Sequence, residues 1–275
     1  MPPFSNLVSE SLLINATIDY LSSRGGRAPA VRVVDRVMKI RGADPYLAKL
    51  LVSDLVERDS RLRMDGDVVI FAGDDHESID LNKAGFVIFD LETTGAKAPP
   101  CRITEVGAFR VVGGCVVEQF HSLVNPEMPI PPFITSLTGI SDLMVVDKPK
   151  FGEIAADLLS FIGDSVMVAH NARFDMGFLN HEIGRVYADY RLANPSLCTV
   201  QLSRRLLPDI ENHKLKTVAG YYSIDLINHH RATDDAYATA HIFINLLGEL
   251  SNLGIRDVGG ARRFSNKRTR AKKLC

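Results

Sequence analysis

The pattern of apolar and polar positions changes character near residue 84. Before that point apolar residues recur at helical spacing. Leu12, Leu13, Ile14, Ile18 and Leu21 line one face of a first helix, which Gly25-Gly26 ends. Val31, Val34, Val37 and Met38 predict a second helix. Asp44-Pro45 opens a third, a capping carboxylate followed by proline at the first helical position. Leu47, Leu50, Leu51, Leu55 and Val56 supply its apolar stripe. Two short extended runs, 62–64 and 68–71, flank Asp65-Gly66, a two-residue hairpin signal. Three helices and a hairpin predict a small winged-helix-like domain over 1–72. The acidic stretch that begins at Gly73-Asp74-Asp75 predicts a linker over 73–83.

From residue 84 the chain reads differently. Phe86-Val87-Ile88-Phe89 is a continuous apolar run, as in a strand buried on both faces. Extended stretches over 102–112 and 115–124, joined by Gly113-Gly114, complete a three-strand meander. Pro126, Pro129, Pro131 and Pro132 mark a loop. A helix follows over 151–161 and a strand over 165–169. Helices are then predicted over 174–189, 199–207, 213–221 and 232–250. Strands followed by alternating helix and strand predict an α/β domain over 84–250, a mixed sheet covered by helices. Residues 251–275 form a basic tail.

Composition narrows the class. At 275 residues, 46% apolar and 24% charged, the chain falls outside disordered, collagen-like and disulfide-dense proteins. No apolar run approaches the ~18–20 residues of a bilayer-spanning helix. Met1-Pro2-Pro3-Phe4-Ser5 carries neither a basic nor an apolar leader, so a cytoplasmic protein without a membrane partner is expected. Cys101, Cys115, Cys198 and Cys275 have no metal-binding spacing and read as reduced thiols. The formal net charge of -1 conceals an asymmetry, because the last fifteen residues hold seven basic side chains and no acidic one. An acidic body with a basic tail points to a polyanionic partner, although a solvated terminus has the same composition. In the first domain Lys49 and Arg58 face Asp54 and Glu57, and Arg61 and Arg63 face Asp65 and Asp67. That balance is a weak footprint for duplex DNA and suits packing or partner docking better.

Three acidic segments carry candidate chemistry. Asp90 and Glu92 lie two apart at the end of the apolar strand, so both carboxylates point to one face. Two ionised carboxylates side by side repel unless a cation is shared, and hard oxygen ligands suit Mg²⁺ or Mn²⁺. Asp175 follows a strand and lies near a helix start. His230 precedes Asp235 by five positions at the start of another helix. Taken singly, each segment has an ordinary explanation as solvated acids or capping charges.

Taken together, Asp90-x-Glu92, Asp175 and His230-x4-Asp235 resemble the DEDDh family of 3′–5′ exonucleases, over about residues 84–250 and most closely the proofreading epsilon-type and PolC-type domains. Ile103–Ala108, Leu137–Ile140 and Leu202–Pro208 strengthen the likeness. The resemblance implies an RNase H-like fold. It implies that Asp90, Glu92, Asp175 and Asp235 hold two divalent cations, Mg²⁺ or Mn²⁺, with His230 as general base. Thr93, Gly95 and Thr138 match positions that contact the terminal nucleotide; Asp234 and His229 stand at the wrong offset. The implied activity is hydrolysis at a free, mostly single-stranded DNA 3′ end with release of nucleoside monophosphates, in replication or repair and with a polymerase as a possible partner. An exoribonuclease trimming RNA ends, or an inert nucleic-acid-binding scaffold, is the alternative.

Overall fold

The computed structural model describes residues 2–73, 75–226 and 229–266. They form two compact units, Met1–Asp75 with Ile183–Ala193, and His76–Glu182 with Asn194–Cys275.

The first unit contains β1 (Leu7–Ser9), α1 (Leu12–Ser22), β2 (Arg27–Pro29), α2 (Ala30–Arg36), α3 (Pro45–Glu57), β3 (Leu62–Asp65) and β4 (Val68–Phe71). The predicted cap of α3 forms, with the Asp44 carboxylate accepting from the N–H groups of Tyr46 and Leu47 at 2.9 and 3.1 Å. Its buried stripe differs from expectation: Ala48, Val52 and Leu55 face the core, while Leu47 and Leu50 are exposed. Small Ala48 occupies the place that leucine counting assigns to its neighbours. The second helix stops at Arg36, so Val37 and Met38 pack against the core from beyond its end. The hairpin turn is shifted one residue, because Asp65 pairs with Val68 and leaves Gly66-Asp67 as the turn. Gly66 adopts φ 61°, a conformation that favours glycine.

A single turn of 3₁₀ helix, Asp75–Ser78, leads into the second unit and to β5 (Gly85–Thr93), β6 (Ile103–Val112) and β7 (Cys115–Leu123). The chain continues through α4 (Pro132–Thr138), α5 (Asp142–Val145), α6 (Phe151–Ile162), β8 (Val166–Ala169) and α7 (Ala172–Val186). β9 (Tyr190–Leu192) returns to the first unit, where it pairs antiparallel with β1. β10 (Ser196–Cys198), α8 (Thr199–Leu206), α9 (Leu215–Tyr221), α10 (Ala232–Asn252) and α11 (Val258–Asn266) follow. The sheet has the order β10-β8-β5-β6-β7, antiparallel along the meander and parallel from β5 through β8 to β10. This is the expected mixed α/β sheet. Phe86 and Ile88 on β5 pack with Ala236, Ala240 and Phe243 of α10 in one apolar cluster.

The expected linker and tail are partly structured. Leu81 is buried and its N–H donates to the Arg256 carbonyl at 2.9 Å, while Val258 donates to Ile79 at 3.0 Å. Val258 and Ala261 are buried on α11. Ile79 and Leu81 are apolar residues inside an acidic stretch, and the charge count outweighs them in the sequence. Lys267, Arg268, Arg270, Lys272 and Lys273 lie outside the described residues. Among the described residues, no helix is long and apolar enough to cross a membrane.

Candidate active site

Strand β5 is the base of the site. Its pairing with β6 sets Asp90 opposite Gly107 and Glu92 opposite Glu105. The first turn of α10 lies against this pair of strands, and Gly107 makes that approach possible. A Cβ there would stand 2.5 Å from the carbonyl carbon of Ala232 and 2.6 Å from its oxygen. Asp235 belongs to that first turn and is 5% exposed.

One carboxylate oxygen from each of Asp90, Glu92 and Asp235 lies within 4.8 Å of the other two. Asp175 is outside this trio. It is buried in the first turn of α7, and its carboxylate accepts from the N–H groups of Leu91 and of Asp175 itself. It is nonetheless the carboxylate whose charge acts most strongly on Asp90. His230 forms a second set with His229 and Asp235 within the same limit. Its backbone N–H donates to Asp235 Oδ2 at 3.0 Å, and its φ of 72° reverses the chain just before α10.

The electrostatics are those of crowded acids. Burial first, then the charges of Asp175, Glu92, Asp235 and Glu105, hold the Asp90 carboxyl well above the usual range. Burial together with Asp235, Glu105 and Asp175 pushes Glu92 up to about 8, against a lowering influence from Arg231. Burial alone takes Asp175 to about 8, although its two backbone hydrogen bonds oppose the change. His230 is pulled below the ordinary histidine value by burial and by His229, with Asp235 acting the other way.

Thr93, Gly95 and Thr138 occupy tight structural positions. Thr93 Oγ1 donates to the Gly95 carbonyl at 2.7 Å, and a Cβ on Gly95 would meet Cys101 Sγ at 2.7 Å. Thr138 Oγ1 donates to the Ile134 carbonyl at 3.0 Å and accepts from Ile140 N–H at 3.1 Å. Both hydroxyls are thus tied to nearby backbone groups.

Sequence reasoning passes over His229, Glu105, Arg231 and His121. His229, set aside for its offset, places Nδ1 3.0 Å from Asp235 Oδ1 and stacks on His230 with ring centroids 3.9 Å apart. Glu105 is fully buried and binds Arg231 through Nε at 3.1 Å and Nη2 at 2.8 Å, as well as Ala232 N–H at 3.1 Å. His121 Nε2 lies 2.9 Å from Oε1, the oxygen that Arg231 Nη2 also reaches. Burial alone would raise Glu105, but these partners hold it below the ordinary carboxylate value. Its signal in the sequence is a lone acid inside the apolar run Ile103–Ala108. Arg231 and Glu105 together pin the start of α10 to β6.

The donor set fits divalent cations. Carboxylate oxygens are hard ligands, and clustered acids held well above their ordinary proton affinity need either protons or cations to coexist.

A family model described as Exonuclease (RNase_T) matches residues 87–243. Among curated proteins, the chain is 40% identical over 195 residues to the DNA polymerase III PolC-type of Caldanaerobacter subterraneus subsp. tengcongensis, covering 71% of this chain and 14% of that protein. It is 37% identical over 180 residues to the DNA polymerase III subunit epsilon of Aquifex aeolicus, covering 65% of this chain and 89% of that one. Among solved structures it is similar to exonuclease X in complex with 5′ overhanging duplex DNA, with TM-score 0.52, 27% identity and coverage of 66% and 99%. It shares the fold of E. coli exonuclease I in complex with a dT13 oligonucleotide, with TM-score 0.55, 18% identity and coverage of 62% and 43%. The chain thus spans about a seventh of the PolC-type relative and most of the epsilon relative.

Proposed function

The chain belongs to the exonuclease (RNase_T) family, and from that premise we propose that it hydrolyses the terminal phosphodiester bond at the 3′ end of a DNA strand, releasing a nucleoside monophosphate. The observation that carries this reading is the convergence of Asp90, Glu92 and Asp235 oxygens within 4.8 Å, beside buried Asp175 and the His229–His230 pair. Bare carboxylates would repel a phosphate, against an opposing charge from Arg231 in the loop before α10. Asp90, Glu92, Asp175 and Asp235 would hold two divalent cations, Mg²⁺ or Mn²⁺, which would supply Lewis acidity for the attacking water and for the charge on the leaving 3′ oxygen.

The protein's own groups perform the rest. His230 accepts the proton of the attacking water at a ring nitrogen. Its lowered proton affinity keeps the ring neutral near pH 7, and so able to accept. His229 braces that ring by stacking and holds Asp235. Glu105 and Arg231 fix the start of α10, so Asp235 and His230 keep their place relative to β5. Thr93, Gly95 and Thr138 shape the seat of the terminal nucleotide. A free, unpaired end is required for the scissile phosphate to reach the acids, which favours single strands and frayed ends.

DNA is preferred to RNA as substrate because the relatives are named as DNA polymerase proteins, and the same names support a polymerase as a partner. The order α1-β2-α2-α3-β3-β4 supports a winged-helix-like reading of the first unit. Digestion of matched, end-labelled DNA and RNA strands with Mg²⁺, Mn²⁺ or chelator tests the reading. Stepwise shortening of DNA from the 3′ end, abolished by chelator, is the expected result. No shortening with either metal refutes it.

A further inference from the structure

The first unit distributes its positive charge unevenly. On α3 and in the segment that follows it the cations are paired within the unit: Lys49 with Asp67 at 3.4 Å, Arg58 with Asp54 at 3.2 Å, and Arg61 with buried Asp59 at 2.8 Å. Around α1, β2 and α2 most are not. Arg24 follows α1, Arg27 lies on β2, and Arg32 and Arg36 lie one turn apart on α2; all four are exposed. With Tyr20 they border a hollow of about 430 Å³ that no acidic residue lines. Arg36 reaches its neighbour Asp35 at 3.5 Å. Among the described residues, no carboxylate pairs with Arg24, Arg27 or Arg32. The Arg24 guanidinium sits over the Tyr20 ring, 5.8 Å from its centroid.

The fold fixes this arrangement. Ala28, Val69 and Met64 form one row across β2, β4 and β3, with Ala28 and Val69 buried. The adjacent row, Arg27, Ile70 and Arg63, therefore faces away from the core. On α2, Val33 and Val34 are buried, which turns Arg32 and Arg36 outward on one face. Four guanidiniums around one concavity repel each other, and an anion seated among them relieves the repulsion. The planar fork of arginine matches phosphate oxygens bidentately, and a tyrosine ring offers a stacking face for a base.

We propose that this hollow is a phosphate site for single-stranded nucleic acid, gripping consecutive backbone phosphates with an intervening base against Tyr20. An acidic polypeptide could also satisfy the charge, but the aromatic ring among the forks favours a strand that alternates phosphates with flat bases. The site uses none of the residues around the acids. It also relies on a different face of the first unit from α3, whose cations are already paired.

The test uses the full chain, a labelled oligothymidylate and chelator, with fluorescence anisotropy read across a series of salt concentrations. Arg27→Gln/Arg32→Gln should bind about tenfold more weakly at low salt. Its log–log salt slope should be flatter by about 1.4, from roughly 0.7 for each lost phosphate contact on a single strand. Arg27→Lys/Arg32→Lys should keep most of the slope. Arg24→Gln/Arg36→Gln is the second pair, read in the same way should the first fail to fold. Parental affinity and slope in a folded glutamine variant overturns the proposal. So does a loss confined to labelled polyglutamate, which would assign the hollow to an acidic polypeptide. Binding is read without turnover, so a failure of the exonuclease reading would leave this comparison standing.

Discussion

Replacing Gly107 with alanine puts one methyl group into the closest approach between sheet and helix at the acids. The added carbon would stand 2.5 Å from the Ala232 carbonyl carbon, and its other near neighbours are also backbone atoms of Ala232 and Thr233. Comfortable carbon contacts begin near 3.5 Å, so the start of α10 must withdraw by about 1 Å. Farther along, Ala240, Phe243, Leu246 and Leu250 are buried and anchor the helix, so the shift is confined to the turn that carries Asp235. Overpacking of this kind costs about 1–3 kcal/mol, which leaves a folded protein with a lowered melting temperature. A misplacement of about 1 Å at reacting groups costs about 100-fold in rate. The assay is the initial rate of 3′-end shortening of a labelled single strand with saturating Mg²⁺, alongside thermal melting. Gly248→Ala is the control, since it lies on the same helix with nothing within 4 Å of its added carbon. It should retain the parental rate and gain about 0.4–1 kcal/mol of stability. A Gly107→Ala enzyme with a rate within a few-fold of its parent would refute the argument that this glycine sets the position of Asp235.

Further outcomes follow from the same geometry. Asp90→Ala and Asp235→Ala should abolish turnover and Mn²⁺ binding measured by calorimetry. His230→Ala should keep most of the metal affinity while losing about 10²–10⁴-fold in single-turnover rate. Glu92 and Asp175 protonate near 8 in the folded metal-free chain, against ordinary values of 4.5 and 3.8, so the folded state holds the extra protons between those limits. Their contribution to stability is therefore full below about pH 4 and is lost as pH rises through about 8. Cations replace the lost protons, so the rise in melting temperature on adding Mg²⁺ should grow with pH over that window; an increment independent of pH would contradict the shared acidic cluster. Deleting residues 267–275 removes five basic side chains without cutting into α11 and should flatten the salt dependence of oligonucleotide binding. An unchanged slope would exclude the tail from binding. Truncation at 261 would be a poorer test, because Ala261 is buried.

The carboxylates were legible because strand geometry is simple. A continuous apolar run followed by two acids at period two puts both on one face, and β5 does so. His229 was not legible, because its exclusion assumes an unbroken approach to the helix. The backbone instead reverses at His230 with φ 72°, a conformation that a single sequence does not announce at histidine. Glu105 stands in a legible motif without its role being legible, since its partner Arg231 lies 126 residues away. In the first unit the helix start was readable from Asp44-Pro45, whereas the buried stripe is displaced because Ala48 counts for little beside the leucines. Strands β1, β9 and β10 span three residues each, below the length at which alternation can be told from chance.

The pairing of Leu7–Ser9 with Tyr190–Leu192 has a consequence for how the polypeptide is made. A ribosome emits the amino-terminal module long before the segment that completes it, so that module must wait for more than a hundred further residues before its outer ribbon can close. A fragment that begins after the hairpin would leave Tyr190–Leu192 as an unsatisfied edge, open to pairing with another chain. Separating the two halves by cutting between them in sequence would therefore favour aggregation over two independent products.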